Sequence, residues 1–168
     1  KNYFEIKDSF LILKNDITII ERDLYIPSQL YVKILPGQQI KLKNSSIIYS
    51  NSPWIVGEND KKKVLITGEK NEFGGGLIIN TTLKKKSKFN NVVFSYLYGP
   101  NNRLIYKDEL PQIISSKTDG YNNYQNIILN KNSLELIKYR NHKFLGAVNF
   151  YESDVEIQNC LFSNNSSE

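Results

Sequence analysis

The chain has 168 residues, a formal net charge of +5 at neutral pH and 40% hydrophobic residues, enough for one domain with its own core. Lysine supplies nearly all of the positive charge, because arginine occurs only at Arg22, Arg103 and Arg140, whereas nucleic-acid readers concentrate arginine; no nucleic-acid partner is expected. The single cysteine, Cys160, excludes a disulfide within the chain and a zinc cluster, and no apolar run reaches the roughly 18 residues of a membrane span.

Residues 1–23 contain two short apolar runs, Phe10–Leu13 and Ile17–Ile20, separated by the polar residues 14–16. Short apolar runs bounded by turn residues predict strands. We expect them to form a hairpin or a first irregular turn of a repeating structure. In either arrangement the segment is predicted to cap the end of a stack of strands, which would otherwise expose a strand edge and core.

A regular pattern begins at residue 24. Short alternating runs are followed by Pro27, by Pro36-Gly37 and by Pro53, which are residues that end strands. Three segments share the order strand, Asn, strand, with the Asn at positions 44, 91 and 159. Asn tolerates the left-handed backbone conformation of a tight corner, so we expect the three to occupy equivalent corners and to stack as a ladder of amides.

The spacing of these corners predicts a stacked β-solenoid with parallel sheets. Asn44 and Asn91 are 47 residues apart, and Asn91 and Asn159 are 68 apart. A repeat of about 20–25 residues places two coils in the first interval, and either three coils or one coil plus an insertion in the second. Residues 146–151 mirror residues 75–80, which favours the insertion.

The insertion is predicted over residues 99–143, which contain the turn segments Gly99-Pro100-Asn101-Asn102, Asp119-Gly120, Asn122-Asn123 and Asn130-Lys131-Asn132. Residues 127–129 and 134–137 fit a hairpin, and residues 133–139 fit two turns of helix; both remain open. A stretch of this length is too long for a bare loop in a compact domain. Residues 144–168 are expected to form a further coil. With no covering segment after it, we expect the natural chain to continue and this coil to self-associate.

The regular part of the chain contains the segments Pro36-Gly37-Gln38-Gln39-Ile40, Trp54-Ile55-Val56-Gly57, Val64-Leu65-Ile66-Thr67-Gly68, residues 74–79, Ser87–Phe94 and Val155–Phe162. Together these segments resemble the coils of right-handed parallel β-helix proteins of the pectin-lyase-like superfamily. The resemblance covers residues 24–98 and 144–168. The resemblance implies an all-β fold, a right-handed parallel β-helix with a cap at 1–23, coils at 24–98, one long insertion and a further coil at 144–168.

The resemblance also implies a polysaccharide groove along the outside of one parallel sheet, in which acidic residues bind calcium or act as acid and base and a Lys or Arg acts as base in lyases. Glu152 and Asp154 follow a strand and are candidate paired carboxylates. Arg140 and His142 end the insertion and are the other catalytic candidates. A simpler interpretation is that Glu152 and Asp154 are exposed turn residues and that Arg140 and His142 are ordinary polar residues at the protein surface. No Asp-rich calcium repeat is present, so no metal site and no cofactor is expected.

Tyrosines flanking or inside the insertion are the candidate ligand-binding residues, since aromatic rings stack on sugars but also fill cores. They are Tyr96, Tyr98, Tyr121, Tyr124 and Tyr139. The predicted function is that of an exported or cell-surface β-helix segment that binds a glycan. One alternative is a polysaccharide lyase or glycoside hydrolase with catalytic coils beyond Glu168; another is a structural or adhesive stalk with no small ligand.

Overall fold

The computed structural model describes residues 3–28, 30–58, 62–81, 85–99, 146–151 and 153–166. All regular elements in these ranges are β-strands. In chain order they are β1 (Phe4–Lys7), β2 (Phe10–Leu13), β3 (Ile17–Ile20), β4 (Leu24–Ile26), β5 (Tyr31–Ile34), β6 (Gln39–Leu42), β7 (Ile48–Ser50), β8 (Trp54–Val56), β9 (Val64–Thr67), β10 (Leu77–Asn80), β11 (Ser87–Asn90), β12 (Val92–Ser95), β13 (Val148–Tyr151), β14 (Val155–Gln158) and β15 (Leu161–Ser163).

The strands form three sheets around one hydrophobic core. Sheet A has the order β1-β2-β5-β8-β11-β14, sheet B the order β15-β12-β9-β6-β3, and sheet C the order β13-β10-β7-β4. The pair β1–β2 is antiparallel, and the other strand pairs of the described residues are parallel. The predicted all-β class with parallel sheets is therefore confirmed.

The chain visits the sheets in the same order each time. We number the resulting units 1 (β2, β3, β4), 2 (β5, β6, β7), 3 (β8, β9, β10), 4 (β11, β12, β13) and 5 (β14, β15). In sheet A, Tyr31 pairs with Phe10 and lies 21 residues after it, while Lys88 pairs with Ile55 and lies 33 residues after it. The predicted repeat of about 20–25 residues therefore fits the step from unit 1 to unit 2, and the step from unit 3 to unit 4 is longer than predicted.

Inward-facing side chains stack in columns from unit to unit, as the alternation predicts. In sheet B, Ile40, Ile66, Phe94 and Phe162 occupy one register position in successive units. The first three are fully buried, and the rings of Phe94 and Phe162 stack with centroids 4.8 Å apart. The predicted stacking of Ile on Ile inside the sheets is confirmed at Ile40 and Ile66.

The N-terminal segment closes one end of the core. The runs Phe10–Leu13 and Ile17–Ile20 are strands, as predicted, but they do not pair with each other. Instead β2 and β3 enter sheets A and B, and the hairpin forms between β1 and β2. Phe4 on β1 is only 2% exposed and belongs to the core, so β1 covers interior side chains that would otherwise face water.

Two of the three predicted Asn corners are equivalent. Asn91 and Asn159 both have positive φ, and both connect a sheet A strand to a sheet B strand in successive units. Asn44 also has positive φ but connects sheet B to sheet C, so its inclusion was wrong. Both corners need a left-handed residue, and the local sequence does not tell them apart. Asn159 Nδ2 donates a 3.2 Å hydrogen bond to Asn90 Oδ1 in the unit before it.

The return of the chain after the predicted insertion has the expected register. Leu77 pairs with Val148 and Asn80 with Tyr151, which confirms that residues 146–151 repeat residues 75–80. Beyond Gly99, the insertion predicted for residues 99–143 lies outside the described residues, and so do its hairpin and helix alternatives.

The outward side chains of sheet C are buried as well. Tyr25, Tyr49 and Ile78 share one outward register row and form a second apolar cluster. Asn51 Nδ2 donates a 2.8 Å hydrogen bond to the Tyr25 hydroxyl, and burial raises the pKa of Tyr25 to about 12. In contrast, the outer faces of sheets A and B present polar side chains to solvent, such as Lys33, Lys41 and Lys88.

Candidate functional site

The outer face of sheet A carries one row of aligned polar and apolar side chains. Register pairs place Ile12, Lys33, Ile55, Lys88 and Glu156 side by side across β2, β5, β8, β11 and β14. These side chains face outward because their strand neighbours are the buried residues of the core. The row crosses five units of the chain, so it brings together residues far apart in sequence.

The outer face is hollowed across units 3 to 5. The depression has a volume of about 340 Å³. Its lining residues are Ile55, Val56, Glu58, Lys88, Phe89, Asn90, Glu156 and Gln158. We call this depression the sheet A groove. Among the lining side chains that face outward, Ile55 is apolar and the others carry carboxylates, amides and an amine, whereas the side chains of Val56 and Phe89 are buried in the core. Polar groups of this kind can exchange hydrogen bonds with a polar organic ligand.

Both carboxylate oxygens of Glu156 have a side-chain partner. Its Oε2 lies 3.0 Å from Lys86 Nζ, and its Oε1 accepts a 2.9 Å hydrogen bond from Gln158 Nε2. The hydrogen bond and the charge of Lys86, together with the charge of Lys88, hold the pKa of the Glu156 carboxyl below its ordinary value. Glu156 is therefore ionised at neutral pH, so it is suited to accept hydrogen bonds and not to deliver a proton.

The two lysines of the row, Lys33 and Lys88, differ in whether they pair with a carboxylate of the described residues. Lys33 Nζ lies 2.8 Å from Glu58 Oε1, so this pair neutralises itself. Lys88 is exposed and forms no ion pair with a carboxylate of the described residues. Its ammonium group is the part of the groove that is positioned to bind an incoming oxygen atom.

An aromatic patch extends the face toward the N-terminal end. The rings of Phe10 and Tyr31 lie with centroids 5.7 Å apart. Lys33 Nζ lies 5.8 Å from the centroid of Phe10, and Lys85 Nζ lies 4.8 Å from that of Tyr31. These distances are within the range of cation–π contacts. The patch combines a flat apolar surface with positive charge.

The catalytic residues predicted from the sequence are only partly placed. Asp154 is exposed, directly before β14, and its backbone carbonyl accepts a hydrogen bond from Ser87 N at 2.9 Å. Glu152, the carboxylate predicted to pair with Asp154, lies outside the described residues. Arg140 and His142 also lie outside them.

Of the predicted sugar-binding tyrosines, Tyr96 and Tyr98 are described, and they are not on sheet A. Both follow β12, at the corner leading from sheet B. Tyr96 has a positive φ of 52° and packs edge-on against Phe73 with centroids 6.0 Å apart, while Tyr98 is 37% exposed. The structure therefore separates these rings from the sheet A groove. Tyr121, Tyr124 and Tyr139 lie outside the described residues.

Sequence reasoning missed the residues that line the sheet A groove. Glu156 and Gln158 are the polar positions of the strand with the clearest alternation, and Lys88 is the polar position of another. The alternation identifies them as outward-facing. It does not identify Lys88 and Glu156 as neighbours, because that contact follows from a register across 68 residues of chain.

Comparisons with protein-family models, with curated proteins and with solved structures each found no match. Within the described residues no group of three or more His, Cys, Asp or Glu side chains is arranged to hold a metal ion. A search of the same ranges found no helix with the length and apolar character needed to cross a membrane.

Proposed function

We propose that the chain is a right-handed parallel β-helix of the pectin-lyase-like kind, in which each unit is one coil. The repeated visits to sheets A, B and C in one order support this proposal. So does the in-register stacking of inward side chains over successive units. The hand follows from the general preference of parallel strand crossovers for right-handed connections.

We propose further that the outer face of sheet A binds a polysaccharide as part of an exported or cell-surface protein. The observation that supports this function best is the sheet A groove, in which Lys88, Asn90, Glu156 and Gln158 line one depression together with Ile55. Sugars present hydroxyl groups to amides and charges and an apolar face to flat surfaces. The Phe10–Tyr31 patch supplies such a surface on the same sheet.

Binding without catalysis suits this groove better than hydrolysis. Glu156 is kept ionised by Lys86, and Glu58 is paired with Lys33. A glycosidase needs one carboxyl group that holds a proton beside one that does not, and the lowered pKa of Glu156 does not favour the protonated form that a general acid needs.

A structural or adhesive role without a ligand is the second candidate. The observation in its favour is that both groove carboxylates already have lysine partners at 2.8 and 3.0 Å. Exposed ion pairs of this kind are common on protein surfaces and contribute little. The two candidates differ in what they predict for Lys88, which a stalk does not need.

A glycan array followed by titration calorimetry tests the proposed function. We expect binding to one class of polysaccharide, weakened roughly tenfold or more by Lys88→Ala, because a hydrogen bond to a charged group is lost. Lys41→Ala is the matched control, since Lys41 faces outward on β6 of sheet B. Absence of binding on the array, or equal effects of the two substitutions, would contradict the proposal.

A further inference from the structure

The outer face of sheet A is longer along the stack of units than along its own strands. The row from Ile12 to Glu156 crosses five strands, and neighbouring strands lie about 4.8 Å apart, so the row is about 19 Å long. Strand β8 has only three residues, and Gly57 directly after it has a positive φ at the corner toward sheet B. A chain-like ligand therefore finds a long surface only along the stack.

The Phe10–Tyr31 patch and the sheet A groove lie on the same face and are connected. Phe10 and Tyr31 each precede by two positions the residue that their strand contributes to the row, so their side chains point to the same side of the sheet. The Nζ atom of Lys33 lies 5.8 Å from the centroid of the Phe10 ring and 2.8 Å from Oε1 of Glu58, which lines the groove. The patch and the groove therefore form one continuous surface, which we call the sheet A track.

The charges of the sheet A track are largely balanced by pairs within it. Glu58 is paired with Lys33 at 2.8 Å, and Glu156 is paired with Lys86 at 3.0 Å. Of the charged residues that line the groove, Lys88 is the one left without a carboxylate at ion-pair distance in the described part of the chain. The groove thus offers one unpaired cation to a ligand.

This balance of charge favours a neutral ligand. A polysaccharide with a carboxylate on every sugar would bring several negative charges onto the track. Those that Lys88 does not neutralise would lie near Glu58 and Glu156, which repel them. A neutral chain avoids the repulsion, because its hydroxyl groups donate hydrogen bonds to the carboxylates and accept one from the Lys88 ammonium.

The Tyr31 ring at the other end of the track can receive the apolar face of a sugar. The ring is half-buried and lies 5.7 Å from the Phe10 ring, centroid to centroid. Lys85 Nζ lies 4.8 Å from the Tyr31 centroid, but Lys85 is exposed, and cation–π contacts at exposed sites are weak. A sugar ring can therefore displace Lys85 from Tyr31 at little cost.

We propose that the sheet A track binds one neutral polysaccharide chain, which lies along the stack of units and extends from the Phe10–Tyr31 patch to the sheet A groove. This inference rests on the proposed function and specifies its ligand. Each sugar of an extended chain advances by about the spacing of neighbouring strands, so the track holds about four or five sugars. The ligand is therefore the interior of a chain and not a single terminal sugar.

Titration calorimetry with oligosaccharides of defined length tests the length and the charge of the ligand together. The probes are disaccharides and hexasaccharides of the cello, manno, xylo and laminari series, with galacturonate oligomers of the same lengths as the anionic comparison. We expect one neutral hexasaccharide to bind about tenfold or more tightly than its disaccharide, because only the longer chain reaches both ends of the track. Raising the salt to roughly 1 M should change this affinity by less than about twofold, since no ion pair forms with the ligand.

Two substitutions distinguish stacking of a sugar from recognition of an anion. Tyr31→Ala should weaken binding of the hexasaccharide about 2- to 10-fold, because the stacking surface is removed. Tyr98→Ala is the matched control, since Tyr98 is 37% exposed at a corner away from sheet A. Lys85→Ala uncovers the Tyr31 ring and should leave the affinity unchanged or raise it, whereas an anion-binding site would lose affinity with this lysine. Lys85 is exposed, so this arm holds even if circular dichroism shows that Tyr31→Ala is unfolded.

Three results would overturn the inference. A hexasaccharide that binds no more tightly than its disaccharide would show that the ligand does not span the track. Tighter and salt-sensitive binding of the galacturonate hexamer, weakened by Lys85→Ala and by Lys88→Ala, would refute the neutral ligand and keep the proposed function. The absence of binding for every probe would refute the proposed function and this inference together.

Discussion

Gly57 is the residue at which the corner between sheets A and B leaves least room. Its φ is +78°, and a Cβ at this position would lie 1.9 Å from the backbone oxygen of Asn90 in the next unit. Because that neighbour is backbone, it cannot rotate away. We expect Gly57→Ala to lower the free energy of unfolding by about 2–5 kcal/mol, from the left-handed conformation and the overlap together. Urea unfolding followed by circular dichroism measures this loss.

Gly37 supplies the matched control. Its φ is +85°, and among the described residues an added Cβ would meet the side chain of Lys62, at 3.4 Å, and no backbone atom. Gly37→Ala should therefore cost about 1–2 kcal/mol, the penalty of the left-handed conformation alone. Equal losses for the two substitutions would show that the contact between neighbouring units at Asn90 is looser than described.

Glu156 provides a pH-dependent contribution at the same scale. Its pKa in the folded protein lies below the ordinary value of 4.5, chiefly through the hydrogen bond from Lys86. Folding thus favours the ionised form, and the contribution to stability is complete above pH 4.5 and is lost as the pH falls through the folded pKa. The difference in unfolding free energy between wild type and Glu156→Gln should follow this course in urea titrations at several pH values.

Salt is the internal check on that prediction. Glu156 and Lys86 are exposed to solvent, so their interaction is screened at high ionic strength. The pH-dependent difference should shrink in concentrated salt. A difference that grows as the pH is lowered would mean that the sign of the pKa shift is wrong.

At the scale of elements, β1 and β15 occupy opposite ends of the core and are expected to respond differently to the same substitution. Phe4 on β1 is 2% exposed, whereas Phe162 on β15 is 48% exposed. Phe4→Ala should cost about 3–5 kcal/mol, as for a buried aromatic residue. Phe162→Ala should cost about 1–2 kcal/mol, since half of its side chain already contacts water. Urea midpoints of dilute samples report both.

The comparison has a clear contrary outcome. If Phe4→Ala costs no more than Phe162→Ala, then β1 is not required to cover the core, and the N-terminal segment does not act as a cap.

Strands were predictable from the sequence wherever alternation was clean. Gln39–Leu42 and Val155–Gln158 are both strands in which the polar residues alternate with apolar ones and face outward. The Asn corners were identified as left-handed residues correctly, yet Asn44 was assigned to the wrong corner. The residue type at a turn indicates the φ of that residue, while the sheets that the turn connects depend on pairing with strands of the neighbouring units.

The site was harder to predict than the strands for the same reason. The sequence-based search for paired carboxylates selected Glu152 and Asp154, which are close in sequence. The structure instead brings Glu156 beside Lys86 and near Lys88 through the register of β11 with β14. Contacts across parallel strands join residues separated by a whole unit, and no local pattern records them.

For the whole molecule, stability is expected to fall from the central units toward unit 5. Strand β9 of unit 3 is paired on both sides, with β6 and β12, while among the described residues β15 of unit 5 is paired with β12 alone. Local opening of β15 therefore breaks fewer hydrogen bonds and exposes less buried surface. In native-state hydrogen exchange, amides of β9 should exchange only by global unfolding, and those of β15 should exchange faster by local opening.

Strand β12 is the matched comparison for β15. It is paired on both sides, and Ser95 on β12 occupies the same register position as Ser163 on β15. Equal protection of β9 and β15 in dilute solution would show that the units unfold as one cooperative block, in contradiction to the repeating architecture proposed for this chain.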